Sequence, residues 1–547
     1  MWLLKLDRAD SDGISLVLPW VLTGIGVGAS VVFAPGWIVW VVAAGTSAAI
    51  ALSVAYSTGG MTAFTRSVFA RALAWHYVIA VIAVIVGINV VRLNMFDDIE
   101  LGLTDFLAHI ILILCAYPLW RHLKSNDRPI PFVPLLTLVY GLYFALPAVL
   151  PVENYGVVSR VEEASKIQTL ELVLLGLSVL IGTYYAWPSN VWRGVLPEFS
   201  SGWSRNRVLP LAVLLAVIAT PAKLANVLGL VPVEVGGLTN FVGELLPLSC
   251  AMLLVLQLRG QLSFIGKLLL WGVLIPEQAL IDLGSGLITP IVRTGILLLM
   301  IYMAIRKSLP WRTILVMALL FFALHAVKGT FRTFAWGTEN RTGDDLIGNG
   351  QVFLNLSAAM WSEADEELVQ QGLEQLVRRI DYLSIFSYVV EMTPDHVPFW
   401  MGATYTPLLS RPIPRIVYPN KPSEEHGQTF GHRYGILSFN DSATSINFAQ
   451  LVEMYANFGV IGVIAGMFVL GVLYSGLSYT FNHNRLEDWG LVSGAFILSR
   501  LMQIEGNFSG VVGSLLYVIP TIYVLRFFLR PHRFAVGDSS ASRFNLM

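Results

Sequence analysis

Apolar runs of about twenty residues recur along this chain, and a run of that length is what an α-helix needs to cross a bilayer. They fall near 13–33, 37–56, 74–92, 102–120, 130–150, 168–187, 208–229, 239–257, 264–282, 286–305, 311–328, 455–478, 488–504 and 510–529. Within hydrocarbon every backbone amide must be bonded inside its own segment, so such runs predict helices rather than open sheets. The expected fold is an all-α polytopic membrane protein with about fourteen spans. Composition agrees. Only 13% of the 547 residues are charged, against about 25% in a soluble chain. Two places are weaker: the first pair of runs, joined by Ala34-Pro35-Gly36, and 208–229, which contains Pro221 and Lys223.

The loops between the runs alternate in charge. Arg66 and Arg71, then Arg121, Lys124 and Arg128, then Arg193, Arg205 and Arg207 fall on one side. Arg259 and Lys267, Arg306, Lys307 and Arg312, and Arg530 and Arg533 follow on that same side. The intervening loops carry Asp97, Asp98 and Glu100, then Glu153, Glu162 and Glu163 with Arg160 and Lys166, then Glu234. Basic loops stay on the cytoplasmic side, so both termini are expected inside and the long segment 329–454 outside. The expected organisation is spans 1–11 over 1–328, a large outer loop over 329–454, spans 12–14 over 455–530 and a cytoplasmic tail over 531–547. The N-terminus is charged and short, and the run after it lacks an obvious cleavage site. It reads as an uncleaved first span.

Several functions are disfavoured. A net charge of −1 offers no field for nucleic acid. Cys115 and Cys250 both sit in apolar runs and read as plain core or lipid-facing residues. His396, His426 and His432 are not accompanied by any close metal-ligand spacing, so no metal is expected. There is no phosphate-binding glycine loop after a strand, so no nucleotide cofactor is expected either.

The stretch 379–458 is different from the rest. It is too polar and too rich in proline to span, and it gathers Arg, Lys, His, Asp and Glu in one place. Residues 351–378 have amphipathic helical spacing, and a second helix is expected from Asp381 to Glu391. Pro407, Pro412, Pro414, Pro419 and Pro422 then impose a stiff, irregular path. Helix is expected to resume from Asn440, with Asp441 or Ser442 as its cap. Lys328, Arg332, Arg341, Arg379, Arg411, Arg415, Lys421 and Arg433 all fall on the outer side. Arg293 lies within the outer half of a span. An intramembrane arginine is costly unless it is paired or lines a cavity, and its planar fork suits phosphate oxygens. Arg415 is the strongest single choice, because Pro414 fixes its backbone direction. Arg500 and Glu505 either pair with each other or line the same cavity. Glu453 lies at the start of a span.

Four segments carry a resemblance: RIDYLSIF from Arg379, TPDHVPFWMGATY from Thr393, PIPRIVYPNKP from Pro412, and LVEMYANFGVIGVIAG from Leu451. Together they resemble the outer-loop signature of bacterial Wzy-type O-antigen and exopolysaccharide repeat-unit polymerases. Pro414, Arg415, Tyr418, Pro419, Lys421 and Pro422 match one element. Glu453, Tyr455, Phe458 and Gly459 match another. Glu505 and Asn507 resemble a terminal Glu-Gly-Asp, with Asn in place of the second acid. The match covers roughly 379–462, with weaker echoes at 286–332 and 500–509.

The resemblance implies a GT-C-like integral-membrane glycosyltransferase of the inner membrane, acting at the periplasmic face. Its substrate would be an undecaprenyl-diphosphate-linked oligosaccharide, and its partners a chain-length regulator and a flippase. Glu453 or His426 would take the proton from the attacking hydroxyl. Arg415, Arg293, Arg332 and Arg379 would neutralise the leaving diphosphate, with Arg411, Lys421, Arg433 and Arg500 nearby. Tyr418, Tyr434, Tyr455 and Glu505 would complete the substrate site, and Tyr418 and Tyr434, with Tyr382, Phe399, Trp400 and Tyr405, would stack on sugars or pack the loop. A ligase-like transfer to another acceptor is the nearest alternative. A flippase is the more distant one, disfavoured because no related halves are visible.

Overall fold

The computed structural model describes residues 102–125, 128–150, 156–187, 189–199, 202–286, 288–308, 310–336, 346–362, 366–411, 413, 418, 421, 426–441, 444–483 and 486–530. The runs at 13–33, 37–56 and 74–92 lie outside these residues. Among the described residues the secondary structure is helical, and nine helices are long and apolar enough to cross a membrane. In chain order the helices are α1 (Leu103–His122), α2 (Phe132–Val149), α3 (Glu163–Ala186), α4 (Arg205–Val227), α5 (Val235–Leu258), α6 (Phe264–Gly284) and α7 (Thr289–Arg306). Then come α8 (Trp311–Trp336), α9 (Leu346–Ser362), α10 (Glu366–Ile380), α11 (Tyr382–Met392) and α12 (His426–Arg433). The last three are α13 (Gln450–Phe481), α14 (Asp488–Leu501) and α15 (Phe508–Leu529). The candidate spans are α1 to α7, α13 and α15.

Two expected spans differ from this set. The run at 488–504 becomes α14, whose 14 residues rise about 21 Å, short of the hydrocarbon thickness of about 30 Å. It is apolar because nearly all of it is buried against protein. The run at 311–328 lies in the longer α8, in which only Arg312–His325 is continuously apolar. By contrast α4 runs unbroken through Pro210 and Pro221. Membrane helices tolerate proline because neighbouring groups satisfy the freed carbonyls.

The long segment before α13 is docked onto the bundle. Its start, expected as one amphipathic helix, is two: α9 packs on α6 and α8, and α10 packs on α8. Phe331 and Phe353 meet edge to face at 5.0 Å. Next, α11 begins where expected, because the Asp381 carboxylate accepts the Ser384 amide at 2.9 Å as an N-cap. Its apolar face packs against α3. Asp441 closes only a local turn, accepting the Thr444 amide at 2.8 Å, and helix resumes at Gln450 rather than near Asn440.

The glycines of α13 do two jobs. Gly471 lets α13 approach α3, since a β-carbon there would lie 3.0 Å from the Leu180 carbonyl. Gly459 breaks the helix, with φ 61° and ψ −143°. The break frees the carbonyls of Ala456 and Asn457. They accept the amides of Trp400 at 3.0 Å and Met401 at 3.3 Å, so the kink is the docking point for the polar segment. Alanine at 459 is expected to cost about 1–3 kcal/mol, since only glycine adopts this backbone readily. Its added carbon would also lie 3.2 Å from the Phe399 ring. Thermal unfolding in detergent checks this, and a melting temperature equal to that of the native chain would refute it.

Candidate functional site

The helix ends sort the charges. At one end, Arg128 on the chain leading into α2 donates to the Tyr184 hydroxyl of α3 at 2.7 Å and to Ser478 of α13 at 2.9 Å. Arg121 lies 4.3 Å over the Tyr185 ring. The Ser204 amide, before α4, donates to Leu529 at the end of α15 at 2.8 Å. Arg259 pairs with Asp488 at 2.8 Å. Arg121, Arg128, Arg207, Arg259 and Arg530 therefore share one end of the bundle, as their loop positions predicted.

The other end holds a cavity of about 110 Å³. Its wall is built from Tyr143 of α2, Ile288, Thr289 and Val292 at the start of α7, and Phe321, His325 and Lys328 of α8. Arg379 and Ile380 of α10 and Glu505, after α14, close it. Arg379 Nη2 lies 2.6 Å from Glu505 Oε2. The same oxygen accepts the Tyr382 hydroxyl and the Asn447 amide, each at 3.2 Å. Burial works against the charge on Arg379, but Glu505 outweighs it and raises the guanidinium pKa above its usual range. Burial, with Glu505 adding to it, pushes the Tyr382 hydroxyl up, so it remains a donor.

A second polar cluster lies between the helices. Glu244 accepts Arg293 Nη2 on both carboxylate oxygens, and Arg500 Nη1 lies 3.0 Å from its Oε2 as an ion pair. Two guanidiniums thus share one carboxylate. Lys223 of α4 and Asp282 of α6 pair at 2.6 Å. Gln278 donates to Thr294 Oγ1 at 2.6 Å. Arg293 is adjacent to Val292 on the cavity wall, and Arg500 precedes Glu505 by one short turn.

Glu453 is fully buried, and its Oε2 accepts the Phe508 amide at 2.5 Å. It caps the first turn of α15, where unpaired amides favour an anion. Its Oε1 has no hydrogen-bond partner among the described residues. Around it, Asn457 Nδ2 donates to Thr404 Oγ1 at 2.8 Å and Asn457 Oδ1 accepts the Gly402 amide at 2.8 Å. This knot ties the segment at 400–411 to α13 and α15.

The remaining sequence candidates distribute as follows. Arg411 donates to the Ser509 carbonyl at 2.8 Å, and Lys421 to the Arg411 carbonyl at 3.1 Å. Arg433 is exposed, 4.3 Å over the Trp400 ring, and donates to the Pro398 carbonyl at 2.6 Å. Tyr418 is exposed. Tyr434 and Tyr455 are buried, their hydroxyls bonded to Thr393 Oγ1 at 2.8 Å and to the Thr393 carbonyl at 3.4 Å. Their rings are therefore packed, with no open face for a sugar. Arg415, and the side chains of Arg332 and His426, lie outside the described residues. Of the expected set, Arg379 and Glu505 share the cavity, and Arg293 and Arg500 meet at Glu244. His325, Glu244 and the Lys223–Asp282 pair were not singled out from sequence. An ionisable residue within a span, with one of opposite sign in another span, is the signal that could have found them.

Residues 205–531 match the family described as a domain of unknown function (DUF8712). The matched region runs from the start of α4 to just past α15 and holds every charged residue of both clusters. No curated protein and no solved structure matches the chain.

Proposed function

We propose a function from the site itself, because the chain belongs to the DUF8712 family, whose description assigns none. The chain is a membrane-embedded transferase that moves a glycan off a polyprenyl diphosphate carrier. In its fuller form it polymerises undecaprenyl-diphosphate-linked repeat units into a cell-surface polysaccharide. The reaction takes place at the periplasmic face of a bacterial inner membrane. The observation that carries this reading is the cavity lined by Arg379, Lys328, His325 and Glu505, with Arg293 next in the chain to its lining residue Val292 and Arg500 five residues before Glu505.

The chemistry follows from charge. The acceptor hydroxyl oxygen bonds to the anomeric carbon as the bond from that carbon to the phosphate oxygen breaks. Negative charge grows on the departing diphosphate, and fixed guanidiniums at that point lower the barrier. The hydroxyl proton passes to a base on the cavity wall, where Glu505 and His325 are the available groups. Glu453, buried and committed to the Phe508 amide, acts as a cap that holds α15 and the 400–411 segment in register. The basic end of the bundle suits the cytoplasmic side, which turns the cavity outward.

Lipid analysis of a strain lacking the chain tests the reading. Loss of a polymerase leaves single repeat units on the final acceptor. Polymer accumulating on the carrier would replace the reading with a ligase-like transfer. Repeat units trapped on the inner leaflet would replace it with a flippase, and unchanged polymer would end it.

A further inference from the structure

We infer that Glu244 is a resident counter-ion, occupying the fork between Arg293 and Arg500 while the site is empty and giving it up when a substrate phosphate arrives. This inference rests on the proposed transfer from a lipid diphosphate. Three observations carry it.

The first is the charge balance. Arg293 from α7 and Arg500 from α14 converge on the single carboxylate of Glu244, and their side chains are largely buried. Two guanidiniums in a membrane interior need an anion, because an unpaired one is costly there. One carboxylate holds both but leaves one positive charge in excess. A phosphate with two or three oxygens can satisfy both forks at once, which Glu244 with its two oxygens does less fully.

The second is the backbone at Glu244. The span α5 is not one regular helix. Segments Val233–Gly243 and Leu245–Leu258 meet at Glu244, with φ −73° and ψ −6°. Pro247, three residues on, has no amide hydrogen to bond the Gly243 carbonyl. The carboxylate therefore sits at a break in its helix, where a span can bend without losing further hydrogen bonds. Lys223 of α4 packs against Gly243, its Cα 3.2 Å from where a β-carbon would stand. It is the neighbouring cation towards which a displaced carboxylate would turn.

The third is the route. Val292 lines the cavity beside Arg293, and Glu505 lines it shortly after Arg500. In the proposed exchange a diphosphate enters by the cavity and takes the two arginines in place of Glu244. Glu244 is thus a positioning residue: it keeps the arginines charged and aimed, and competes with the ligand for them.

The test is binding of farnesyl diphosphate and of inorganic pyrophosphate to the purified full-length protein in detergent. Glu244→Gln removes the competing charge and keeps the shape. It is expected to tighten binding about 10-fold, within the usual range for coupling between sites. Glu244→Asp pulls the carboxylate back and is expected to tighten it by less. A merely structural role would weaken binding or leave it unchanged. If both variants keep the native melting profile and neither binds more tightly, the counter-ion role is overturned. Should Glu244→Gln fail to fold, Glu244→Asp decides alone. Arg293→Ala is expected to weaken binding in the same assay. If it does so while the Glu244 variants bind no tighter, the transferase reading stands and only the exchange fails. If the native chain binds neither probe, or Arg293→Ala changes nothing, both fail.

Discussion

Arg379→Ala is expected to lower the proposed glycan transfer by about 100-fold or more, the usual effect of deleting a group that meets developing charge. Its guanidinium stands on the cavity wall, 2.6 Å from Glu505. Removing it acts twice. In the proposed transfer the diphosphate loses a cation, and Glu505 is left as an uncompensated negative charge where the phosphate would approach. Tyr382 and Asn447 still donate to that carboxylate, so the wall keeps part of its shape. Arg379→Lys retains the charge but not the fork, and an intermediate rate is expected. Polymer yield and chain length in a complemented deletion strain, normalised to protein level, give the measurement. Arg160, exposed just before α3, supplies the control, and its alanine variant should transfer normally. Transfer by Arg379→Ala at the native rate would remove this cavity from the mechanism.

Lys223→Met is expected to destabilise the fold by about 3–5 kcal/mol, the cost of breaking a buried ion pair on one side only. Asp282 is the reason. Its side chain is 2% exposed, and its Oδ2 has no hydrogen-bond partner among the described residues. Without Lys223 at 2.6 Å it is a bare charge between helices. Replacing both, as Lys223→Met with Asp282→Leu, is expected to recover most of the loss, because two buried charges are exchanged for apolar packing. Thermal unfolding of the four proteins in one detergent completes the cycle. A single variant as stable as the native chain would show that the pair contributes little, and a double variant no better than the single would show that the loss does not come from an unpaired Asp282.

The family resemblance at Glu453, Tyr455, Phe458 and Gly459 acquires a physical meaning from the kink in α13. In the sequence Glu453 stands as a candidate base and Tyr455 as part of the substrate site. In the fold Glu453 caps α15, Tyr455 packs against Phe386 with ring centroids 5.7 Å apart, and Gly459 turns the helix. Asn457 latches the Gly402 amide. These residues hold three segments together where the polar loop meets the bundle. One dimension of sequence shows that such residues cluster but not which of them face a cavity, because the kink that aims them is a backbone event.

Charge shows the same division. The basic residues of alternate loops could be assigned to one end from the chain alone, because a span reverses direction each time it crosses. Arg293 could be recognised as costly for the same reason: its neighbours in sequence are apolar. Its partner Glu244 could not, since 48 intervening residues separate them and nothing local records which spans touch. Apolarity misleads in a related way for α14, where residues that read as lipid-facing are buried in protein.

The sequence by itself determined the class, the approximate place of the nine candidate spans among the described residues and the segregation of charge, because a bilayer imposes length and polarity on each segment separately. Only the tertiary structure decided that Arg379 meets Glu505, that Arg293 and Arg500 share Glu244, and that Lys223 meets Asp282. Those pairings depend on which helices pack side by side, and packing is set by shapes distributed over the whole bundle rather than by any one run of residues.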